Sequence, residues 1–451
     1  MQIVLIGLYE LGRQPFGLAS PAAWLRERGH RVVCCDLAVD RPDLEDLRAA
    51  DLVAFYLPMH TATRLACGLI AEIRRINPRA VLCCYGLYAP LNASHLQHLG
   101  VDWILGGEFE GTLADLVDAL TRRQQPVGPK VQVSIERLTF RIPDRSTLPP
   151  LERYARLVLP GGEQRLVGYT EASRGCKHRC RHCPVVPVYN GRFRVVPHDV
   201  VVEDIRRQVA AGAQHITFGD PDFLNGPRHA LELVQRLHAE FPALTYDITA
   251  KVEHLLQHAA LLPVLRDTGC LFVTTAVESL DNAALARLDK GHTREDFFRL
   301  VELFRCLNMV LHPTFIPFTP WTTLESYAEL LDTLERLELV EHVAPVQLTL
   351  RLLIPAGSRL LELDEIRSLV DSFDSESLTY PWRHPDVRVD QLQERVLHAV
   401  EAGLSAGASR TEIFANVRAL LDPAVAHRQK AVGRVFPARC TVPYLTEPWY
   451  C

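Results

Sequence analysis

Short apolar runs alternate with stretches of helical period along the N-terminal part of the chain. The runs 2–8, 31–36, 52–57, 80–85 and 103–105 predict five strands. Between them, 21–28, 63–76 and 111–120 read as helices; Gly29 ends the first and Pro78 stops the second. Strands separated by helices predict an α/β unit over residues 1–125, a doubly wound parallel sheet with helices on both faces. Ligands on such a sheet bind beyond the carboxyl ends of its strands.

From residue 121 the pattern dissolves. Arg122, Arg123, Gln124, Gln125 and Pro126, and later Pro149-Pro150, mark a linker over 126–165 with a few short strands. Alternation then resumes. Strands are expected at 167–171, 215–218, 245–249, 271–277, 310–316 and 345–354, with helices at 200–211, 228–241, 256–267, 294–307 and 327–337. Six such units over 166–360 fit a partial (β/α)6 barrel of the TIM type, whose active site would lie at the carboxyl ends of the strands. Residues 361–451 differ in kind: 390–406 and 412–421 read as helices of an α-helical extension, followed by an aromatic, proline-containing tail.

Composition narrows the function classes. The 451 residues are 48% hydrophobic and 23% charged, which excludes a disordered or collagen-like chain. Asp plus Glu outnumber Lys plus Arg by 54 to 49, so the basic excess of a nucleic-acid binder is missing and no nucleic-acid partner is expected. No apolar stretch reaches about 18 residues and Met1-Gln2-Ile3 lacks a basic start, so neither membrane span nor signal peptide is expected. A cytoplasmic location follows as the default expectation.

Three of the 12 cysteines fall in the segment Arg174-Gly175-Cys176-Lys177-His178-Arg179-Cys180-Arg181-His182-Cys183-Pro184. Without an export signal, such a cluster points to metal or redox chemistry rather than disulfides. Three thiolates at this spacing can hold three corners of a cubane iron–sulfur cluster. The next cysteine is Cys270, so one iron would keep an open coordination position. Arg174, Lys177, Arg179 and Arg181 add charge that favours thiolates. The alternative from the residues alone is a zinc site completed by His178 or His182, in a non-catalytic zinc or iron–sulfur protein.

The spacing Cys176-x3-Cys180-x2-Cys183 resembles the cluster motif of radical S-adenosylmethionine (SAM) enzymes. That resemblance implies a 4Fe–4S cluster whose open iron binds SAM, with reductive cleavage to a 5′-deoxyadenosyl radical that abstracts hydrogen. It also implies a small-molecule or peptide substrate and an electron donor such as flavodoxin or ferredoxin. Downstream segments match in order. Gly219-Asp220-Pro221-Asp222 stands where the family places a loop near the SAM amino group, although the common form is Gly-Gly-Glu. Glu278, followed by Ser279, matches a frequent ribose contact. Lys290-Gly291-His292-Thr293 resembles the Lys-Gly-His/Tyr-Thr segment, and Ile354 opens the segment often placed beside adenine. In the fifth-strand region, Pro317 and Thr319-Pro320 replace the usual glycines. Lys251 is a further candidate, for a SAM carboxylate.

The N-terminal unit resembles the Rossmann-like cobalamin-binding domains attached to such enzymes, through Gly17-Leu18-Ala19, Ala22-Ala23-Trp24-Leu25-Arg26, Gly29-His30-Arg31-Val32, Val101-Asp102-Trp103 and the segment Gly106 to Thr112. The resemblance implies cobalamin and, with it, methyl transfer. Two departures stand out. No Asp-x-His-x-x-Gly motif marks a cobalt-ligating histidine, and Tyr85-Gly86-Leu87-Tyr88 replaces the usual Gly-Gly at the dimethylbenzimidazole slot. His60 reads as structural or exposed, and Cys34-Cys35 and Cys83-Cys84 as core. The tail, Arg439-Cys440-Thr441-Val442-Pro443-Tyr444 and Glu447-Pro448-Trp449-Tyr450-Cys451, resembles that of a radical SAM group named for a terminal Cys-Cys-Ala-Glu-Pro or Cys-selenocysteine-Ala-Glu-Pro motif. On that resemblance, a UGA selenocysteine codon is expected after Cys451.

Overall fold

Alternate residues of the N-terminal strands are apolar on both sides, so the sheet they build must be covered twice. In a computed structural model, which describes residues 1–421 and 442–446, strands β1 (Gln2–Gly7), β2 (Arg31–Asp36), β3 (Leu52–Tyr56), β4 (Val81–Tyr85), β5 (Trp103–Gly107) and β6 (Val131–Ser134) form one parallel sheet. Its order is β2-β1-β3-β4-β5-β6. Ile3 and Leu5 face the helices Phe16–Glu27 and Phe109–Thr121, while Val4 and Ile6 face His60–Ile76 and its neighbours. The sixth strand comes from the stretch read as linker.

The first helix begins at Phe16, ahead of the expected start at Pro21, and carries that proline inside. Pro21 has no N–H to give to the Gly17 carbonyl four residues back. The Tyr85 hydroxyl donates to that carbonyl instead, at 2.9 Å, so the helix runs through without an orphaned acceptor.

The second sheet combines β7 (Arg156–Val158), β8 (Gln164–Thr170), β11 (His215–Phe218), β12 (Thr245–Thr249), β13 (Cys270–Glu278), β14 (Val310–Phe315) and β15 (Tyr444–Leu445). The five strands β8, β11, β12, β13 and β14 are parallel and curl into the half-barrel. The small ribbon β9 (Ser173–Gly175) with β10 (Phe193–Val195) stands beside it. The expected sixth barrel strand is reduced to one bridge, Phe318 to Arg351. Residues Pro345–Leu348 form a tight helical turn, and the Gln347 side chain, rather than a strand backbone, accepts from Phe315 N at 3.0 Å. Helices Val387–Ser405 and Arg410–Arg418 pack on the barrel core through Val396, Val400, Ile413 and Val417. No described helix is long and apolar enough to cross a membrane. The tail residues 439–441 and 447–451 lie outside the described residues.

Arg145 ties the two sheets together. Its guanidinium donates to both carboxylate oxygens of Asp204 (2.9 and 3.0 Å), to the Tyr169 carbonyl at 2.6 Å and to Gln14 Oε1 at 2.9 Å. Asp204 is 1% exposed and also accepts from Thr170 and Gln208. Removing the only cation of a buried pair strands the other charge, which costs roughly 3–5 kcal/mol. Arg145→Ala should therefore lower the urea unfolding free energy by about that amount. A loss below about 1 kcal/mol would assign the pair no structural weight.

Candidate active site

The cysteine loop hangs from the carboxyl end of β8. Gly175, at φ +72°, makes the turn into it, and a Cβ there would stand 2.5 Å from the Arg192 carbonyl oxygen. The Asn225 side chain clamps the start of the loop, accepting from Lys177 N at 3.1 Å and donating to Gly175 O at 3.3 Å. The end of the barrel holds the other side: Ser358 donates to Arg181 O and Arg359 to Arg179 O. Cys176 and Cys180 are buried and Cys183 half-buried. Burial pushes the Cys176 thiol up to about 11 and Cys183 up to about 12. The cations that pull these two back are Lys251 and Lys290 respectively, both buried and both from distant elements.

Arg174, expected to serve the thiolates, is turned the other way. Its guanidinium meets Glu108 at 3.4 Å, Glu110 at 2.6 Å and Glu171 at 2.7 Å, inside the contact between the two sheets. Arg181 is likewise spent on the Ala286 and Arg287 carbonyls. Neither histidine of the loop is free: His182 Nε2 is 3.1 Å from Glu278 Oε1, and His178 Nε2 is 2.9 Å from His254 Nε2.

Glu278 carries the clearest local signal. It sits at φ +68°, beside a bulge where the pairing of β13 with β14 slips between Ala276 and Glu278. A non-glycine residue held in the left-handed region costs about 1–3 kcal/mol and clusters at functional sites. The bulge sets the side chain against Lys290 Nζ at 3.2 Å. Burial pushes the Glu278 carboxyl up, but the Lys290 charge and the His182 contact outweigh it and hold it down at about 2. The group is a fixed carboxylate.

The other sequence candidates are placed as follows. Gly219 donates its N–H to Thr170 O at 2.8 Å and passes so close to Tyr169 that a Cβ would lie 2.0 Å from the phenol oxygen. Asp220 accepts from Ala172 N (2.9 Å) and Ser173 Oγ (2.5 Å), bracing the entry to the cysteine loop. Asp222 Oδ1 accepts from Leu224 N, while Oδ2 faces His254. Ser279 Oγ accepts from Asp281 N. Ile354 is fully buried, with its carbonyl accepting from Tyr380 N. Lys251 Nζ lies 3.4 Å from Glu253. His60 Nε2 donates to the Ser377 carbonyl oxygen at 2.7 Å, a structural role. What the sequence did not reveal is the meeting of His178, Asp222 and His254, because 178, 222 and 254 follow three different strands.

Between the carboxyl ends of the two sheets lies an open pocket of about 200 Å³, lined by Glu10, Arg13, Tyr56, Met59, Tyr169 and Glu171 among others. Burial, with Glu171 nearby, raises the Glu10 carboxyl well above its ordinary value. Tyr56 and Phe109 of the lining pack with Tyr85 behind them, with ring centres 4.8 to 6.3 Å apart. Tyr56 packs so tightly on Gly17 that a Cβ at that position would lie 2.0 Å from the ring.

Residues 170–334 match the sequence profile of the Radical SAM superfamily, whose members use a 4Fe–4S cluster and SAM. Hopanoid C-3 methylase of Methylococcus capsulatus is 24% identical over 326 residues, covering 68% of this chain and 62% of the relative. Ribosomal protein uS12 methylthiotransferase RimO of Porphyromonas gingivalis is 25% identical over 277 residues, covering 57% and 56%. The match thus spans about 60% of the length of these relatives. Among solved structures, the cobalamin-dependent SAM radical enzyme OxsB with aqua-cobalamin and SAM bound superposes with TM-score 0.68 at 15% identity, over 90% of this chain and 67% of that one. The radical SAM methyltransferase TsrM from Kitasatospora setae, with tryptophan and aza-SAM bound, gives 0.66 at 18% identity, over 96% and 92%. At these identities the likeness shows the fold.

The Glu278–Lys290 pair sets a pH signature. A carboxyl held below its ordinary value of 4.5 contributes stability that is present above 4.5 and lost as pH falls toward 2. Lys290→Met should unfold more easily than the parent at pH 6, and the difference should shrink steadily between about pH 5 and pH 2. A pH-independent difference in denaturant midpoint would show that Lys290 does not hold the carboxylate.

Proposed function

We propose that this chain is an enzyme that reductively cleaves SAM, with Cys176, Cys180 and Cys183 holding the 4Fe–4S cluster. The observation that carries the reading is three cysteines on one loop at the carboxyl ends of a half-barrel, with no fourth nearby among the described residues. Cys270 begins β13 and so belongs to the opposite end of the barrel. The donor set fits the group: soft thiols, clamped backbone on both sides, and buried Lys290 and Lys251 to offset the charge of thiolates. When bound, the cluster supplies one electron to the SAM sulfonium, whose carbon–sulfur bond breaks to give the 5′-deoxyadenosyl radical.

The chain's own residues position and enclose. Glu278, kept ionised by Lys290, can accept both ribose hydroxyls of SAM. Gly219 lets the 219–222 loop pass close to Tyr169, Asp220 braces that loop against the cysteine loop, Ser279 flanks Glu278, and Ile354, fully buried, backs the site from the core. Lys251 faces the carboxylate end. The cavity between the sheets lies next to this site and would hold the substrate, a small molecule or peptide, with Glu10 and Glu171 as acceptors for its polar groups. A flavodoxin or ferredoxin would supply the electron.

Methyl transfer through cobalamin is a finer reading. The pocket lined by Met59, Leu87 and Tyr169 measures about 200 Å³, and the Tyr85 ring, in the segment that the resemblance assigns to the dimethylbenzimidazole slot, is packed against Tyr56 and Phe109. We therefore derive no step through it; titration with hydroxocobalamin, followed by its absorption spectrum on the protein, tests the fit. The tail of the Cys-selenocysteine-Ala-Glu-Pro group is equally a finer reading: a UGA codon followed by Ala, Glu and Pro codons after Cys451 supports it, and any other sequence ends it.

Two variants test the main reading. Cys180→Ala should abolish 5′-deoxyadenosine formation from SAM and dithionite while leaving the circular dichroism unchanged; full product formation overturns the cluster assignment. Glu278→Ala should keep the brown cluster yet weaken SAM affinity about tenfold or more, because each lost hydrogen bond to a charged acceptor costs roughly 1.5–3 kcal/mol. Unchanged affinity rejects the ribose role.

A further inference from the structure

One group of ligating side chains is left over by the cysteine site. His178 follows β8, Asp222 follows β11 and His254 lies in the helix Val252–Gln257 after β12, so three successive strand-to-helix connections each bring one residue to the same point. Asp222 is fully buried and His254 is 1% exposed. His178 Nε2 is 2.9 Å from His254 Nε2 and 3.8 Å from Asp222 Oδ2, and His254 Nδ1 is 2.7 Å from Asp222 Oδ2. One ligand atom from each residue lies within 4.8 Å of the others.

Short as these distances are, they do not satisfy the groups. Asp222 Oδ2 and His254 Nδ1 are both buried and, although 2.7 Å apart, form no hydrogen bond with each other or with any other group. Asp222 Oδ1 is held by Leu224 N, which fixes the carboxylate with its second oxygen facing the histidines. His258, 5.9 Å from His254 between ring centres, adds another buried orphan in Nε2. Orphaned buried polar atoms at one point call for an ion or an ordered water.

We propose that His178, Asp222 and His254 bind a divalent transition-metal ion, distinct from the cluster. Two imidazoles and one carboxylate suit zinc, iron(II) or cobalt(II) and disfavour calcium or magnesium. Ligands about 2.1 Å from a metal stand about 3.0 Å apart at right angles and about 3.4 Å apart at tetrahedral angles. His254 can offer only one nitrogen to the ion: through Nε2 it stands 2.9 Å from His178 Nε2, through Nδ1 it stands 2.7 Å from Asp222 Oδ2, and His178 Nε2 is 3.8 Å from that oxygen, so one ligand atom per residue falls within 4.8 Å of the others. Glu253 Oε2, 3.6 Å from His178 Nδ1, orients that ring from outside and also faces Lys251, whose charge would otherwise oppose a cation. The position beside the cysteine loop makes the ion a brace between that loop and the two following connections.

The test is cobalt(II) binding to the full chain carrying Cys176→Ala, Cys180→Ala and Cys183→Ala together, so that no cluster and no loop thiolate can contribute. One equivalent should bind, with weak visible d–d bands and no thiolate charge-transfer band, and His254→Gln or Asp222→Asn on that background should weaken binding about a hundredfold. No stoichiometric binding, or binding unchanged by both substitutions, overturns the site. If the triple variant does not fold, the cluster-loaded parent is titrated with zinc: one zinc beyond the cluster iron, lost in His254→Gln, is required, and its absence overturns the site. Cobalt bound without any iron in the parent would keep this site and reject the cluster, while four irons and no further metal would do the reverse.

Discussion

A buried arginine at the approach to the cysteine loop lies at the centre of the contact between the two halves of the protein. Arg174, from the approach to the cysteine loop, is enclosed by Glu108 and Glu110 at the carboxyl end of the N-terminal sheet and by Glu171 at the end of the first barrel strand. Ser20 donates to Glu110 and Tyr189 to Glu108, so the carboxylates have further partners, and Phe16, Phe109 and Phe140 stack around the guanidinium. Burial raises Glu108 and Glu171 above their ordinary values, against the pull of Arg174. Such a cluster gives little net stability over an apolar contact, but it tolerates only one arrangement of its partners. Because that cation is two residues from Cys176, the arrangement of the two sheets and the position of the cysteine loop are a single constraint.

The consequence is that two sets of strand ends face each other. Each sheet offers ligands the same side, beyond its carboxyl ends, and the cavity between them inherits loops from both. Arg145 repeats the tie from the linker, joining Gln14 of one half to Asp204 and Tyr169 of the other. Within this frame the strain at Glu278 has a reason: an unbulged strand would send the side chain elsewhere, whereas the slipped register sets it beside Lys290 and the cysteine loop.

Much was legible in the sequence. Strand and helix alternation predicted both parallel sheets, since period and punctuation are local properties, and the Cys-x3-Cys-x2-Cys spacing needs only one loop to be meaningful. Departures came where a partner distant in sequence changed a local rule. Pro21 reads as a helix start, but Tyr85 takes the carbonyl that proline would strand. Residues 345–354 read as a strand, but a glutamine side chain makes the bond the strand would have made.

The sequence by itself determined the element order, the apolar faces and the set of thiols, because these depend on composition and on neighbours a few residues away. Only the tertiary structure decided where the charges went. Arg174 and Lys290 are both simply basic residues on paper. Folding buries them, and a buried cation must take whichever carboxylate the topology presents: Arg174 meets the glutamates of the other half, and Lys290 meets Glu278 beside the cysteines. His178, Asp222 and His254 were likewise invisible as a group, since no local spacing relates residues that three different crossovers bring together.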